Sequence, residues 1–450
     1  MMHYKTLLRT LFILLFFVIT ASAQDKTKTA FSLEDVQKYA MDNNRDIKKA
    51  LMDIDVADKQ RWEVTASGLP QIQISGSYQN LVDIPTQLIP GEIFGGEPGS
   101  TIPVKFGKPH NASYGISANQ LIFSGSYFVG LQASKIYMQL SEESLTRTKL
   151  DVKATVTNSY YLVLIADENR RVLGESLENV RKTGYEIEQM YNEGFTERTD
   201  AKQIQITINE LENGIRALDQ QIGIAYKLLK IQMGLPLDQE VRLTDKLDEL
   251  LKRLEVQQNL TVEFNPYNNI NLKSVLTQEE LARLSLKNEK TTFLPTLAAF
   301  ASMKRDAQRD KFNIFDPSEK WYPTTVVGLQ LSWPIFSGGS KIFKWQKAQI
   351  ELDQARLMRE KVEDGLKLQY AQAKSKLESA QDQYINSSNS RDLAKEVYDD
   401  TLEKYREGVA TSLELTQAHN QYLTSERDYL QAVTDLFNSN TELKKILEIL

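Results

Sequence analysis

The chain has 450 residues, with 54 Lys and Arg against 60 Asp and Glu, three His and no Cys. Without thiols there is no disulfide scaffold, no thiol catalysis, no Cys-rich metal site and no cysteine for a lipid anchor. A net charge of −6 argues against a nucleic-acid protein, and a mean hydropathy of −0.40 with 25% charged residues excludes a polytopic helical membrane protein.

Residues 1–23 read as a secretory signal peptide. Lys5 and Arg9 precede the apolar run from Leu11 to Ile19, and Ala21-Ser22-Ala23 forms the cleavage site. Without Lys5 and Arg9 the net charge becomes −8. No later run is apolar and long enough for a transmembrane helix, so any return to a membrane must use strands.

A helix is expected over about 33–66. Strands follow over about 71–82 and 112–123. In the first, Ile72, Ile74 and Tyr78 alternate with Gln71, Gln73, Ser75 and Gln79; in the second, Tyr114, Ile116 and Ala118 alternate with Ser113, Gly115 and Ser117. Val82 to His110 is rich in Pro and Gly and reads as a long, turn-rich connection. All 12 prolines lie outside Asn111–Leu235 and Ile335–Leu450, so both tracts can be uninterrupted helix beyond their strands. Helices are expected over about 126–191 and 199–232. The heptad-like series Ile204, Ile208, Leu211, Ile215, Leu218, Ile222 marks side-by-side packing. A charged connector occupies about 237–272. A helix over 274–292, strands over 295–304 and 324–336, and helices over 340–405 and 413–447 complete the chain. The helices over 126–191 and 340–405, about 66 residues each, would be roughly 100 Å long, and those over 33–66 and 199–232, about 34 residues each, about 50 Å.

The second half repeats the first. Pro295 follows Pro70 by 225 positions, Gly338 follows Gly125 by 213, and Gly408 follows Gly194 by 214. The repeats are 24–236 and 273–450. The apolar strand faces either pack on each other in a sandwich or face lipid. Trp321 and Tyr322 at one end of the last strand, with Trp333, Phe336, Phe123 and Phe128 at the other, favour a bilayer with two aromatic belts. Four strands cannot close a membrane barrel, so several chains must share one; three would supply twelve strands.

The signal peptide, the duplicated strand pair and helical hairpin, Phe-Ser-Gly at the strand-to-helix junctions (Phe123-Ser124-Gly125, Phe336-Ser337-Gly338) and Tyr-x-x-Gly at the distal turns (Tyr191 to Gly194, Tyr405 to Gly408) resemble the TolC family of outer-membrane efflux proteins. The resemblance implies a mixed α and β homotrimer: a twelve-strand outer-membrane β-barrel continued by a twelve-helix periplasmic α-barrel. It implies a passive duct for efflux or type I secretion, joined through a periplasmic adaptor to an inner-membrane pump. It implies a periplasmic gate at Glu414, Asp200, Tyr405 and Gln417, with adaptor contact at the turns of Tyr191, Gly194, Tyr405 and Gly408. Glu414 would form a ring of three carboxylates favouring cations. Gln417 stands where a second acid can occur, and Ala410 where an Arg can lock the tip. A Tyr405 to Asp200 hydrogen bond is open to this chain. The other reading is that Glu414 and Asp200 are solvated acids favoured by helix N-termini.

No enzyme motif is present: neither a G-x-S-x-G, a P-loop, an H-E-x-x-H nor a dinucleotide fingerprint occurs, and His110 and His419 stand apart. Met303 reads as lipid-facing, and no metal or cofactor is expected. The alternatives to the duct are an exported trimeric coiled-coil structural or adhesive protein with a soluble sandwich, and a periplasmic adaptor.

Overall fold

The structure is a computed structural model and describes residues 29–450; the expected signal peptide, 1–23, lies outside the described residues. Seventeen elements carry the argument. They run β1 (Ala30–Phe31), α1 (Leu33–Asn43), α2 (Arg45–Ala66), β2 (Gln71–Asn80), β3 (Thr86–Pro90), β4 (Thr101–Lys105), β5 (His110–Phe123), α3 (Gly125–Asn192) and α4 (Arg198–Met233). Then come β6 (Arg242–Leu243), α5 (Leu247–Lys252), α6 (Val256–Thr261), α7 (Ile270–Thr291), β7 (Thr296–Arg309), β8 (Tyr322–Ser332), α8 (Ser340–Arg406) and α9 (Ser412–Leu447). The 68 residues of α3 and the 67 of α8 each rise about 100 Å at ~1.5 Å per residue.

Two compact units divide the chain. One takes Ala50–Thr146 and Pro266–Gly365; it holds the main sheet. The other takes the chain up to Lys49, Arg147–Asn265 and Leu366–Leu450; it holds the distal helical hairpins.

In the sheet unit the strands lie in the order β2-β5-β7-β8, all antiparallel. The strand pair of each repeat forms, but in the second β7 runs on to Arg309, past the expected 304, and β8 stops at Ser332, short of the expected 336, just before Pro334. The two pairs are then joined through β5 and β7, from Phe123 opposite Leu297 to His110 opposite Arg309. Every residue of β2 is exposed, and Val327, Leu329 and Leu331 of β8 show a bare apolar row. The sandwich reading requires these faces to cover one another, and they do not. The segment expected as turns alone carries a hairpin: Thr86–Pro90 pairs with Thr101–Lys105. Its signal is weak because Pro90 and Pro103 sit inside the strands, where a proline removes a ladder donor.

In the hairpin unit the expected helix over 33–66 is broken at Asn44. Its side-chain oxygen accepts the amides of Asp46 (2.8 Å) and Ile47 (3.3 Å), capping α2. Its amide nitrogen donates to the Gln232 carbonyl at the end of α4 (2.7 Å). There α4 terminates at Gly234, which is left-handed at φ +79°. The Leu235 amide reaches back to the Lys230 carbonyl (2.9 Å), and that of Gly234 to Ile231 (3.0 Å). A Cβ on Gly234 would lie 2.4 Å from the Asn43 carbonyl oxygen. Gly234→Ala is therefore expected to lose more than the ~1–2 kcal/mol of a left-handed alanine, because backbone must also move. Thermal unfolding and amide exchange at α1 and the end of α4 would register it; wild-type protection there would refute the close approach.

The connector is not featureless. β6 pairs in parallel with β1, Ala30 opposite Arg242, and Val256 of α6 enters a core with Leu377 of α8 and Leu436 and Leu443 of α9. The Lys153 ammonium donates to the Leu450 carbonyl (2.7 Å). The start of the described chain, the connector and α9 thus meet beside α3.

Candidate functional site

The two distal turns are built alike because their sequences are alike. Helix α3 ends at Gly194 (φ +83°) and α8 at Gly408 (φ +76°). In each turn the residue after the glycine donates back across six residues, Phe195 to Met190 and Val409 to Lys404, both at 2.8 Å. Only glycine enters that left-handed position without strain, so Gly194 and Gly408 have structural roles. Tyr191 is partly exposed, whereas Tyr405 is buried in a cluster with Ile187, Tyr398, Leu415 and Ala418.

The two acids occupy the same place in each repeat, the third residue of the returning helix, but do different things. Glu414 forms a capping box with Thr411: its carboxylate accepts the Thr411 amide (2.7 Å) and hydroxyl (2.9 Å), while the Glu414 amide donates to that hydroxyl (3.3 Å). The Thr411 amide and hydroxyl hold the Glu414 carboxyl below its ordinary range. Glu414 and Gln417 lie one turn apart on α9, both exposed. Asp200 instead ties the two hairpins. One oxygen accepts the Ser412 hydroxyl of the other hairpin and the second accepts Thr196 (2.6 Å). These hydroxyls, Ser412 foremost, hold the Asp200 carboxyl low.

The Tyr405 to Asp200 bond is not made. Ser412 and Thr196 occupy the carboxylate, and the buried Tyr405 hydroxyl makes no hydrogen bond to it. Burial, with the Asp200 charge, pushes that hydroxyl upward, so it stays protonated. A second tie, absent from the expectations, joins Arg406 to Glu186: Nε lies 3.1 Å from Oε2 and Nη2 3.4 Å from Oε1. Thus Ala410 makes no such pair, and Arg406, four residues earlier, pairs with the acid of the other hairpin. Both ties are contacts between residues more than 200 positions apart, for which the spacing of one repeat carries no signal.

Deeper in the same bundle, His419 is buried. Its Nε2 lies 2.8 Å from the Ser176 hydroxyl and its Nδ1 has no partner. Burial pushes its pKa down to about 4, so it is neutral at pH 7.

In the sheet unit the aromatics fall at the strand ends. Trp321 and Tyr322 open β8, and Trp321 meets Tyr114 edge-on at 4.9 Å. At the other end Trp333 donates to the Phe293 carbonyl (3.1 Å), Phe336 is exposed, and Phe123 packs near Phe128 (6.1 Å). Met303 is exposed on β7. Among the described residues no group of three or more metal-ligating side chains occurs, and no helix is long and apolar enough to cross a membrane.

A duplicated strand pair and hairpin of this kind invites comparison with known proteins. The model of the family described as outer membrane efflux protein matches residues 37–235 and 267–447. The chain belongs to the outer membrane efflux protein family. It is accordingly an outer-membrane protein and an export channel. The alkaline protease secretion protein AprF of Pseudomonas aeruginosa is 22% identical over 335 residues, 70% of this chain and 67% of AprF. Solved structures share the fold. CusC has a TM-score of 0.72 at 16% identity, over 92% of this chain and 91% of its own. VceC of Vibrio cholerae has 0.69 at 14%, over 92% and 95%. The open state of Neisseria gonorrhoeae MtrE has 0.70 at 16%, over 92% and 88%. The family and the shared fold make the chain a TolC-like outer-membrane protein.

Proposed function

We propose that three copies of this chain form one passive duct, a twelve-strand barrel in the outer membrane continued by a twelve-helix tunnel in the periplasm. The observation that carries this reading is the bare, apolar, four-stranded sheet with free edges at β2 and β8. In hydrocarbon, unpaired strand edges are costly, and neighbouring chains relieve them. The 11 residues of β8 at ~3.3 Å each, tilted by about 40°, span about 28 Å, the height of an apolar band. The helices support the same assembly. Phe343, Ile350 and Leu357 recur every seven residues on α8 and are exposed, as are Ile224, Leu228 and Ile231 on α4. Such stripes suit neighbouring helices.

Cargo reaches the duct from an inner-membrane pump through a periplasmic adaptor that docks on the helical turns. Phe195 and Val409, each following its left-handed glycine, present matched apolar knobs there, 79% and 73% exposed. Glu414 lines the narrowest point as a carboxylate ring, with Gln417 one turn deeper, and Asp200 holds the hairpins together.

Membrane fractionation and an unheated gel test the assembly: a heat-sensitive trimer in the outer membrane is expected, and a monomer wholly in the soluble fraction would overturn it. For the ring, Glu414→Gln keeps an acceptor for the Thr411 amide and removes the charge. In planar bilayers it should lower cation-over-anion selectivity with the tip still folded; unchanged selectivity would reject the ring.

A further inference from the structure

The hairpin unit has an open pocket of about 340 Å³ where α1, the connector and α9 meet against α3. That volume is within the range of small-molecule sites. Its walls mix leucines (Leu33, Leu250, Leu254) with polar and charged side chains. Tyr161 and Asn440 line it, 9% and 4% exposed, yet the Tyr161 hydroxyl and the Asn440 amide nitrogen make no hydrogen bond to another described residue. The Asn440 oxygen is used by Asn259 (2.8 Å), which fixes the amide so that its N–H groups face elsewhere. Tyr161 is held flat on Phe437 at 4.0 Å between ring centroids. Neither polar atom is itself sealed from solvent, so both are donors that an acceptor bound in the pocket can take.

Two cations share the lining, Arg253 from the end of α5 and Lys444 from α9, and neither pairs with an acid among the described residues. Facing the same space are Glu34 and Asp245. Asp245 is a fixed acceptor: one oxygen takes the Leu33 amide (2.7 Å) and the Tyr160 hydroxyl (2.8 Å). Burial, with the Asp245 charge, pushes the Tyr161 hydroxyl up to about 12, so it is a donor at any physiological pH.

We propose that this cavity binds a carboxylate-bearing ligand of dipeptide size, its carboxylate taken by Arg253, Lys444, Tyr161 and Asn440 and its ammonium by Asp245 and Glu34. Four donors and two acids suit the two charges of a zwitterion, and the leucines suit the short carbon frame between them. The site is independent of the duct reading. A ligand there bridges three separate stretches of the chain, so binding stabilises the folded state as its concentration rises.

The test uses the full-length detergent-solubilised protein and the dipeptide glycyl-glutamate, with glycyl-glutaminamide, which has no carboxylate, as control. Saturable binding by calorimetry and a concentration-dependent rise in thermal stability are expected. Arg253→Gln with Lys444→Gln should weaken binding by about tenfold or more, and Tyr161→Phe, which keeps the wall, should weaken it several-fold. No saturable binding of glycyl-glutamate, equal binding of the control, or unchanged affinity in both variants would overturn the site.

Discussion

Asp200→Ala combined with Arg406→Ala is expected to hold the channel open in planar bilayers, raising its mean conductance well above wild type. Both residues act across the two hairpins: Asp200 accepts the Ser412 hydroxyl, and Arg406 pairs with Glu186. Removing either loosens one link between α3–α4 and α8–α9. The Arg406–Glu186 pair is half exposed, so solvent screening limits it to less than about 1 kcal/mol. Across the hairpins the Asp200 carboxylate accepts the Ser412 hydroxyl, which after the same screening contributes about 1 kcal/mol more. At most about 2 kcal/mol per chain shifts a closed-to-open ratio by up to roughly thirtyfold. Asp200→Asn, which keeps an acceptor but no charge, should open it less. Wild-type conductance in the double variant would show that the ties do not hold the tip.

The same tie has a stated pH behaviour. Asp200 is held low in the fold, so its contribution is complete at neutral pH and is lost only as pH falls through that lowered value, beneath the ordinary carboxylate range.

His419 responds earlier. Its folded pKa is about 4 against an unfolded value of 6.5, so the unfolded chain binds the extra proton between those limits. Stability is full above pH 6.5 and falls as pH drops toward 4. At about 1.4 kcal/mol per pKa unit the loss is about 3 kcal/mol. Nothing nearby offsets it: the ring faces Ser176 and Thr183 of α3, Thr207 of α4, Tyr398 of α8 and Thr416 on its own helix, none of them a charged group. Amide exchange over α9 from about 412 to 425 should accelerate between pH 6.5 and 4 in the wild type. His419→Leu should abolish most of that acid response. An identical acid profile in the variant would assign the loosening to another group.

Much of this architecture was legible in the residues, and the reasons are local. Proline-free tracts with heptad spacing give long helices because nothing breaks the backbone ladder, and α3, α4, α8 and α9 lie within a residue or two of expectation. Two-residue alternation marked the four main strands, and Tyr-x-x-Gly marked the distal turns, where Gly194 and Gly408 are left-handed. Duplication was visible because both repeats keep the same landmarks in the same order.

What remained for the tertiary structure were contacts between distant residues. Asn44 reads as one more polar helix position until its amide is seen bound to Gln232, 188 residues away. Asp200 and Glu414 look equivalent in the repeat, yet one bridges hairpins through Ser412 and the other caps its own helix through Thr411. Arg406 with Glu186, the joining of the repeats through β5 and β7, and the cavity at Tyr161 and Asn440 share that origin. Periodicity and propensity act over a few residues and so specify elements and turns. Which charge, hydroxyl or strand edge meets which partner depends on where packing brings chain segments separated by hundreds of positions.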